Sequence, residues 1–240
     1  MTNKGADDAA ASGDATELEL SSAVGDYLKA IWQLAGAGTA ATGDIARALG
    51  VTAPSVTGML SRLRTQGLVQ YQPYKGAELT EHGRREAMRL LRRHRLLETF
   101  MIGELGFGWD EVHDEAERLE HVVSDEFTER LARHLGDPTF DPHGDPIPRS
   151  DGSLPEGPDT PLSEAQVGER FVAHRVLTQD GDVLSYLFGL GIEPGRRLTV
   201  VGREPGGQLL NVRVERRGGD VEVGLSSALA SLVLGVLAPA

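Results

Sequence analysis

The sequence predicts a mainly helical protein that ends in a small β-barrel, with a winged helix-turn-helix at its head. Three observations carry this. Apolar residues recur at helical spacing from Ser22 to about Leu135, interrupted once by a hairpin pattern. Seven of the twelve prolines then crowd between Asp137 and Pro161. Beyond Leu162, short β-rich runs alternate with glycine turns. A chain of 240 residues is long enough for two or three modules.

Residues 1–20 are rich in Ala, Asp, Gly and Thr without periodicity and read as a disordered tail. From Ser22, the residues Val24, Tyr27, Leu28, Ile31 and Leu34 share one helix face, which Gly36-Ala37-Gly38 ends. Thr42 is placed to cap a short helix carrying Ile45, Ala46 and Leu49, closed by Gly50. Thr52 opens a third helix, with Pro54 in its first turn and Val56, Met59, Leu60 and Leu63 on one side, stopped by Gly67. Leu68-Val69-Gln70-Tyr71, a turn through Pro73, Lys75 and Gly76, and Ala77-Glu78-Leu79 make a short hairpin. Thr80 starts a long helix to about Gly103, and one further helix is expected from Trp109 to Leu135. The runs Arg170–Leu177, Arg197–Gly202, Leu209–Val214 and Val221–Val223 suit a barrel of SH3 type. The expected divisions are 21–80, 81–136, a proline-rich linker at 137–161, and 162–240.

Composition excludes several classes of function. There is no cysteine, so no disulfide, thiolate metal site, iron–sulfur cluster or cysteine nucleophile. No uncharged apolar run is long enough to span a bilayer, and no apolar stretch follows Lys4, so the expectation is a cytoplasmic protein with no membrane partner. The net charge of −12 is unevenly spread. Residues 40–95 hold ten Lys and Arg against four Asp and Glu, whereas residues 96–160 hold four against seventeen. Adjacent blocks of opposite sign point to one anionic and one cationic partner.

Two helices joined by a Gly-containing turn, followed by a hairpin, describe a winged helix-turn-helix whose second helix enters the major groove of double-stranded DNA. Its leading residues are Thr52, Ala53, Pro54, Ser55, Thr57 and Gly58. None is an Arg, Asn or Gln, so bidentate base contacts are absent there, and thymine-methyl contacts and DNA shape carry much of the specificity. Arg62, Arg64, Lys75 and Arg47 supply phosphate contacts, with Tyr71 or Tyr74 adding hydrogen bonds from the wing. The competing reading is a winged helix used for protein contacts, its arginines forming a solvated face.

A second constellation points to a metal. His113, Glu117, Glu120 and His121 share an arc of ~100° on a continuous helix, and the preceding helix offers His94 and Glu98 one turn apart. Such a cluster repels itself unless a cation or arginines compensate it. An acidic exposed helix is the plain alternative. The HExxH and paired Glu-x-x-His patterns are absent, and no nucleophile sits beside a base, so binding rather than catalysis is expected.

These residues resemble the metal-dependent repressors of diphtheria-toxin-repressor, iron-dependent-regulator and manganese-transport-regulator type (DtxR, IdeR, MntR). The likeness is carried by Tyr27-Leu28-Lys29-Ala30-Ile31, Ser55-Val56-Thr57, Leu79-Thr80-Glu81-His82-Gly83, Arg93-His94-Arg95-Leu96-Leu97-Glu98, His113-Asp114-Glu115-Ala116, Glu120-His121-Val122 and Gly144-Asp145-Pro146-Ile147-Pro148. The stretch Leu190-Gly191-Ile192-Glu193-Pro194-Gly195 is similar to the SH3-like (FeoA-like) domain of three-domain members. The resemblance implies a helical dimerisation domain and a regulatory metal site of Asp26, Glu117, Glu120 and His121. It implies an ancillary site of His94, Glu98 and His113, with an acidic ligand from the SH3-like domain, Asp180 or Asp182.

Iron-type members carry Met and Cys where this chain has Asp26 and Glu117. Hard carboxylates suit Mn²⁺, with Fe²⁺ the alternative; Co²⁺, Ni²⁺ and Zn²⁺ are expected substitutes in vitro. Lys29 stands where two-domain manganese members carry a Glu ligand, which argues for two separated sites. The implied protein is a homodimeric, Mn²⁺-activated repressor of metal-uptake genes, with one or two dimers at each operator. Its dimer face would use Leu96, Leu97, Phe100, Met101, Leu105, Phe107 and Trp109, which equally suit a monomer core. Rival readings are a metallohydrolase with a DNA-targeting head and a winged-helix regulator that senses an organic ligand.

Overall fold

A computed structural model describes residues 21–36, 38–109 and 111–238; the tail at 1–20 lies outside the described residues. Helix α1 (Ser22–Ala35) buries Val24, Tyr27, Leu28 and Ile31 of the face its spacing predicts, while Leu34 in its last turn is exposed. Helix α2 (Thr42–Ala48) contributes Ile45, and α3 (Ala53–Thr65) contributes Val56, Leu60 and Leu63 to the same core. Thr52 holds the extended N-cap position and Pro54 lies in the first turn, where its missing N–H costs nothing. Strands β1 (Val69–Gln72) and β2 (Gly76–Leu79) pair antiparallel with Val69 opposite Leu79 and Gln72 opposite Gly76. A bridge between Ala40 and Ala77 ties this hairpin to the helices. Tyr71 packs into the core, whereas Tyr74 at the tip is fully exposed, so only Tyr74 is free for the wing role expected of the two.

Helix α4 (Glu81–Leu105) is capped by Thr80, whose hydroxyl accepts from the Gly83 amide at 3.0 Å, and ends at Gly106 in the left-handed conformation. It serves two cores. Ala87, Met88 and Leu91 close the head, and Leu96, Leu97 and Met101 pack with Val112, Ala116, Leu131 and Ile147.

The single helix expected from Trp109 to Leu135 is two. Helix α5 (Val112–Leu119) stops, and α6 (Asp125–His134) begins at Ser124, whose hydroxyl accepts from the Phe127 amide at 3.1 Å. That capping gives the chain a second helix start that apolar periodicity alone does not reveal. The expected dimer-face residues Leu96, Leu97 and Met101 are monomer core, Phe100 and Phe107 pack against them, and Trp109 joins the core of the β-region; Leu105 alone is exposed.

The proline-rich segment is not a loose linker. Asp141, His143, Asp145 and Ile147 are buried, and one Asp141 oxygen accepts from the amides of His143 and Asp145 at 2.9 and 2.8 Å. Gly144 makes this packing possible. Its φ is +85°, and a Cβ there would lie 1.8 Å from the His174 carbonyl.

The final region comprises β3 (Thr160–Pro161), β4 (Arg170–Val176), α7 (Gly181–Gly189), β5 (Arg197–Arg203), β6 (Leu209–Val214), β7 (Val221–Ser226), α8 (Ser227–Leu232) and β8 (Val233–Ala238). Its six strands lie in the order β3-β8-β4-β5-β6-β7 with every neighbouring pair antiparallel. The sheet is open, not the closed barrel expected: β3 pairs through two residues with β8, and β7 pairs with β6. The two outer strands do not pair with each other, so both edges remain. Phe171, Leu184, Leu187, Leu198 and Val212 fill its core, and α7 and α8 were not foreseen from the β-rich spacing.

Gly144→Ala is expected to destabilise the protein by about 2–4 kcal/mol, since it combines backbone strain with a clash against fixed backbone. Urea unfolding checks this; an unchanged midpoint would refute the close packing of 141–145 on β4.

Candidate metal centre

The centre forms where α1 crosses α4 and the end of α5. Gly25 allows the approach: a Cβ there would meet His121 Cε1 at 3.0 Å and Leu90 Cδ2 at 3.1 Å. The next residue, Asp26, places Oδ1 3.0 Å from His121 Nε2. Glu120 sits at the C-cap of α5 and is fully buried, and His121 lies in the turn beyond it. Asp26, Glu117, Glu120 and His121 each offer a ligand atom within 4.8 Å of the others.

The end of α5 divides the expected four-residue face. His121 turns toward α1, while His113 lies against His94, its Nδ1 3.1 Å from His94 Nε2. His94, His113 and Glu117 therefore make a second group, which shares Glu117 with the first. Glu98, the ancillary residue one turn after His94, has its carboxylate between two groups. Oε1 lies 2.9 Å from His94 Nε2 and 3.3 Å from His113 Nδ1, and Oε2 lies 3.8 Å from His143 Nδ1.

Glu98, Asp141 and His143 form a third group, all buried. Asp141 and His143 are the residues sequence reasoning missed. The signal is local: Asp141 followed by Pro142, His143 and Gly144 is a turn sequence, and the Asp141 carboxylate folds the chain onto itself by accepting from the His143 amide.

The electrostatics are those of crowded acids with few cations. Burial would lower His94, but the Glu98 charge and hydrogen bonds to Glu120 and Glu98 overcome it and raise its pKa to about 9. The protonated ring donates from Nδ1 to Glu120 at 2.5 Å and from Nε2 to Glu98 at 2.9 Å. Burial would raise Glu98; the His94 charge and the His113 and His94 hydrogen bonds hold it below the usual carboxylate range. Burial and the neighbouring Asp145 and Glu98 charges push Asp141 well up, and burial lowers His143.

Buried Asp141 Oδ2 and both ring nitrogens of His143 lack a hydrogen-bond partner. Orphaned buried polar atoms of this kind cost about 1–3 kcal/mol each, and a bound cation would satisfy Asp141 Oδ2 and the unprotonated one of the two His143 nitrogens. The first group, three carboxylates and one imidazole, suits a hard divalent ion; the donors fit.

Asp180 stands apart from these groups. It caps α7, where Oδ1 accepts from the amides of Asp182 and Val183 at 3.0 and 3.2 Å, and neither Asp180 nor Asp182 falls in a ligand group among the described residues. Asp141 and His143 of the preceding segment lie beside Glu98.

Most of the residues expected at DNA lie on one accessible element. Thr52, Ala53, Pro54, Ser55, Thr57 and Gly58 are exposed on α3, as are Arg62, Arg64 and, on the wing, Lys75. Thr57 Oγ1 donates to the Ala53 carbonyl at 3.1 Å, and Arg47 is paired with Asp44 at 2.9 Å. No described helix is long and apolar enough to cross a membrane.

The His94 value has a consequence for metal-free protein. An unfolded histidine titrates near 6.5, so the raised value contributes stability that is complete below that pH and is lost as pH rises toward about 9. In EDTA, the melting temperature is therefore expected to fall between pH 6.5 and 9, and this fall should be absent in His94→Gln. Parallel curves for both proteins would contradict the assignment.

The chain matches three family descriptions in succession. Residues 19–77 match the iron dependent repressor N-terminal DNA binding domain, residues 80–149 the iron dependent repressor metal binding and dimerisation domain, and residues 160–235 the FeoA domain. It is 36% identical over 194 residues to the iron-dependent repressor IdeR of Mycobacterium tuberculosis, covering 75% of this chain and 84% of that protein. Its structure is similar to that of a manganese-dependent transcriptional repressor in complex with manganese, with a TM-score of 0.81 and 39% identity over 90% of this chain and 100% of the other. It is also similar to ScaR with bound Zn²⁺, with a TM-score of 0.74 and 32% identity over 89% and 98% of the two chains.

Proposed function

This chain belongs to the DtxR/IdeR/MntR family of metal-dependent transcriptional repressors, and we propose that within it the protein is a homodimeric, Mn²⁺-activated repressor that binds operator DNA of metal-uptake genes from the cytoplasm. The observation that carries the reading is the meeting of Asp26, on the first helix of the DNA-binding head, with Glu117, Glu120 and His121 from α5 and the turn that ends it.

A divalent ion held there would add positive charge among the three carboxylates. Asp26 then fastens α1, and through its shared core α3, to α4 and α5. In a two-fold dimer this fixes two α3 helices at about 34–36 Å, the repeat of successive major grooves. The ion favours the DNA-competent arrangement only as far as it binds that arrangement more tightly; a thousandfold preference is about 4 kcal/mol. Glu98, Asp141 and His143 would hold a second ion, with His94 and His113 beside Glu98.

Manganese is favoured over iron because every ligand of the first group is oxygen or imidazole and the chain has no sulfur from cysteine to offer. A neighbour of similar structure is named for manganese dependence. Self-association has apolar surface to use: Leu105, Val122 and Phe127 remain exposed on the helices and turns after α4 begins.

Anaerobic titration of operator binding against free Mn²⁺ and Fe²⁺, with reversal by EDTA, tests the reading. Mn²⁺ should activate at the lower concentration a cell supplies; activation by far less Fe²⁺ would overturn the manganese assignment. Asp26→Ala should weaken Mn²⁺-dependent operator binding by about 100-fold, and an unchanged gel-shift titration would end the crosslink idea. Arg62→Ala and Lys75→Ala should each weaken binding to all sequences alike and reduce the slope of log affinity against log salt by about 0.9. A sequence-selective loss with an unaltered slope would remove them from the phosphate contacts.

A further inference from the structure

Lys29 lies one helical turn after Asp26 on α1, and its side chain is buried at the centre rather than reaching solvent. Its ammonium donates to Glu117 Oε1 at 2.5 Å and to Glu120 Oε1 at 2.6 Å. Both carboxylates belong to the group that includes Asp26 and His121. Thus α1 brings a carboxylate and a cation to the same acids.

A buried ammonium needs partners, and so does Glu120, which has no exposed surface. The lysine therefore ties α1 to α5 with no divalent ion present. It also changes what an arriving ion meets. The ammonium already engages one oxygen of Glu117 and one of Glu120, His94 faces the other Glu120 oxygen, and a positive charge stands within a few ångströms. With the His94 charge matched by its Glu98 partner, Asp26, Glu117 and Glu120 with one ammonium leave two negative charges, which one divalent ion neutralises and a second would reverse.

We propose that Lys29 is the affinity-setting residue of this centre: its ammonium is a resident counter-cation that shares Glu117 and Glu120 with the divalent ion, limits the group to one ion and weakens that ion's binding. This rests on the metal reading of Asp26, Glu117, Glu120 and His121 and adds a role to a residue that is not itself a ligand. The same contact makes metal-free protein a partly closed joint, so the lysine lowers the ion's affinity and at the same time supports the metal-free structure.

The test is direct Mn²⁺ titration of the full chain, with free Mn²⁺ read by electron paramagnetic resonance and no DNA present. The binding step abolished by Asp26→Asn identifies this centre. Lys29→Met and Lys29→Gln are expected to tighten that step about tenfold, because removing a unit charge beside a divalent ion relieves a repulsion of that order. Lys29→Arg, which keeps the charge, should stay nearer to wild type than either neutral variant. In EDTA both neutral variants should melt below wild type, and added Mn²⁺ should raise their melting temperature by more than it raises that of wild type. Where a neutral variant does not fold without metal, chelator competition starting from Mn²⁺-loaded protein gives the same affinity. A lysine that only supports the fold predicts weaker Mn²⁺ binding on its loss, so equal or weaker binding in the neutral variants overturns the proposal. Absence of any Asp26-dependent step in the wild type would instead remove the metal reading on which it stands.

Discussion

The structure turns on the burial of one carboxylate, Glu120, at the crossing of three helices. It has no contact with solvent, and its two oxygens face the Lys29 ammonium at 2.6 Å and the His94 ring at 2.5 Å. A buried charge with partners on two other helices is costly to break, because either partner left alone is stranded in low dielectric. The relation of α1 to α4 and α5 is therefore tied to charge as well as to packing. A device that senses a cation needs a joint whose closure depends on positive charge, and this joint has that property before any ion enters.

Helix α4 is what makes the joint consequential. Its first half belongs to the core of the DNA-binding head and its second half to the core formed with α5 and α6. His94 and Glu98 sit beyond the changeover, so the imidazole that braces Glu120 is carried by the rod that also shapes the head. Motion of the head relative to α5 must pass through this rod or through α1. The first is stiff, at about 37 Å of continuous helix. The second is fastened through Asp26 and Lys29.

The acids extend further than the head. Glu98 faces His94 with one oxygen and His143 with the other, and the backbone at His143 accepts from the Val176 amide of β4 at 2.9 Å. Trp109, from the turn after α4, stacks edge-on against His143 at 4.9 Å and enters the core of the β-region. A chain of contacts thus runs from Asp26 through His121, Glu120, His94, Glu98 and His143 to the sheet. It gives the open β-region a physical link to the ligand groups that does not require a ligand of its own, and Asp180 is left to start α7.

Periodicity in the sequence determined the winged helix-turn-helix, the long helix with its Thr80 cap, and the face of α1 that is buried, because these depend on spacing within one element. The resemblance added Asp26, which no local pattern connects to residues some ninety positions later. What tertiary structure decided was of another kind. Whether 109–135 is one helix or two depended on which hydroxyl caps an amide at Ser124. Whether 137–161 hangs free or packs depended on Gly144 meeting the His174 carbonyl. Open and closed sheets share the same alternation, so only the pairing of the outermost strands separates them. The partners of Lys29 were likewise invisible in the chain, since a charge in sequence carries no record of which opposite charges burial will force upon it.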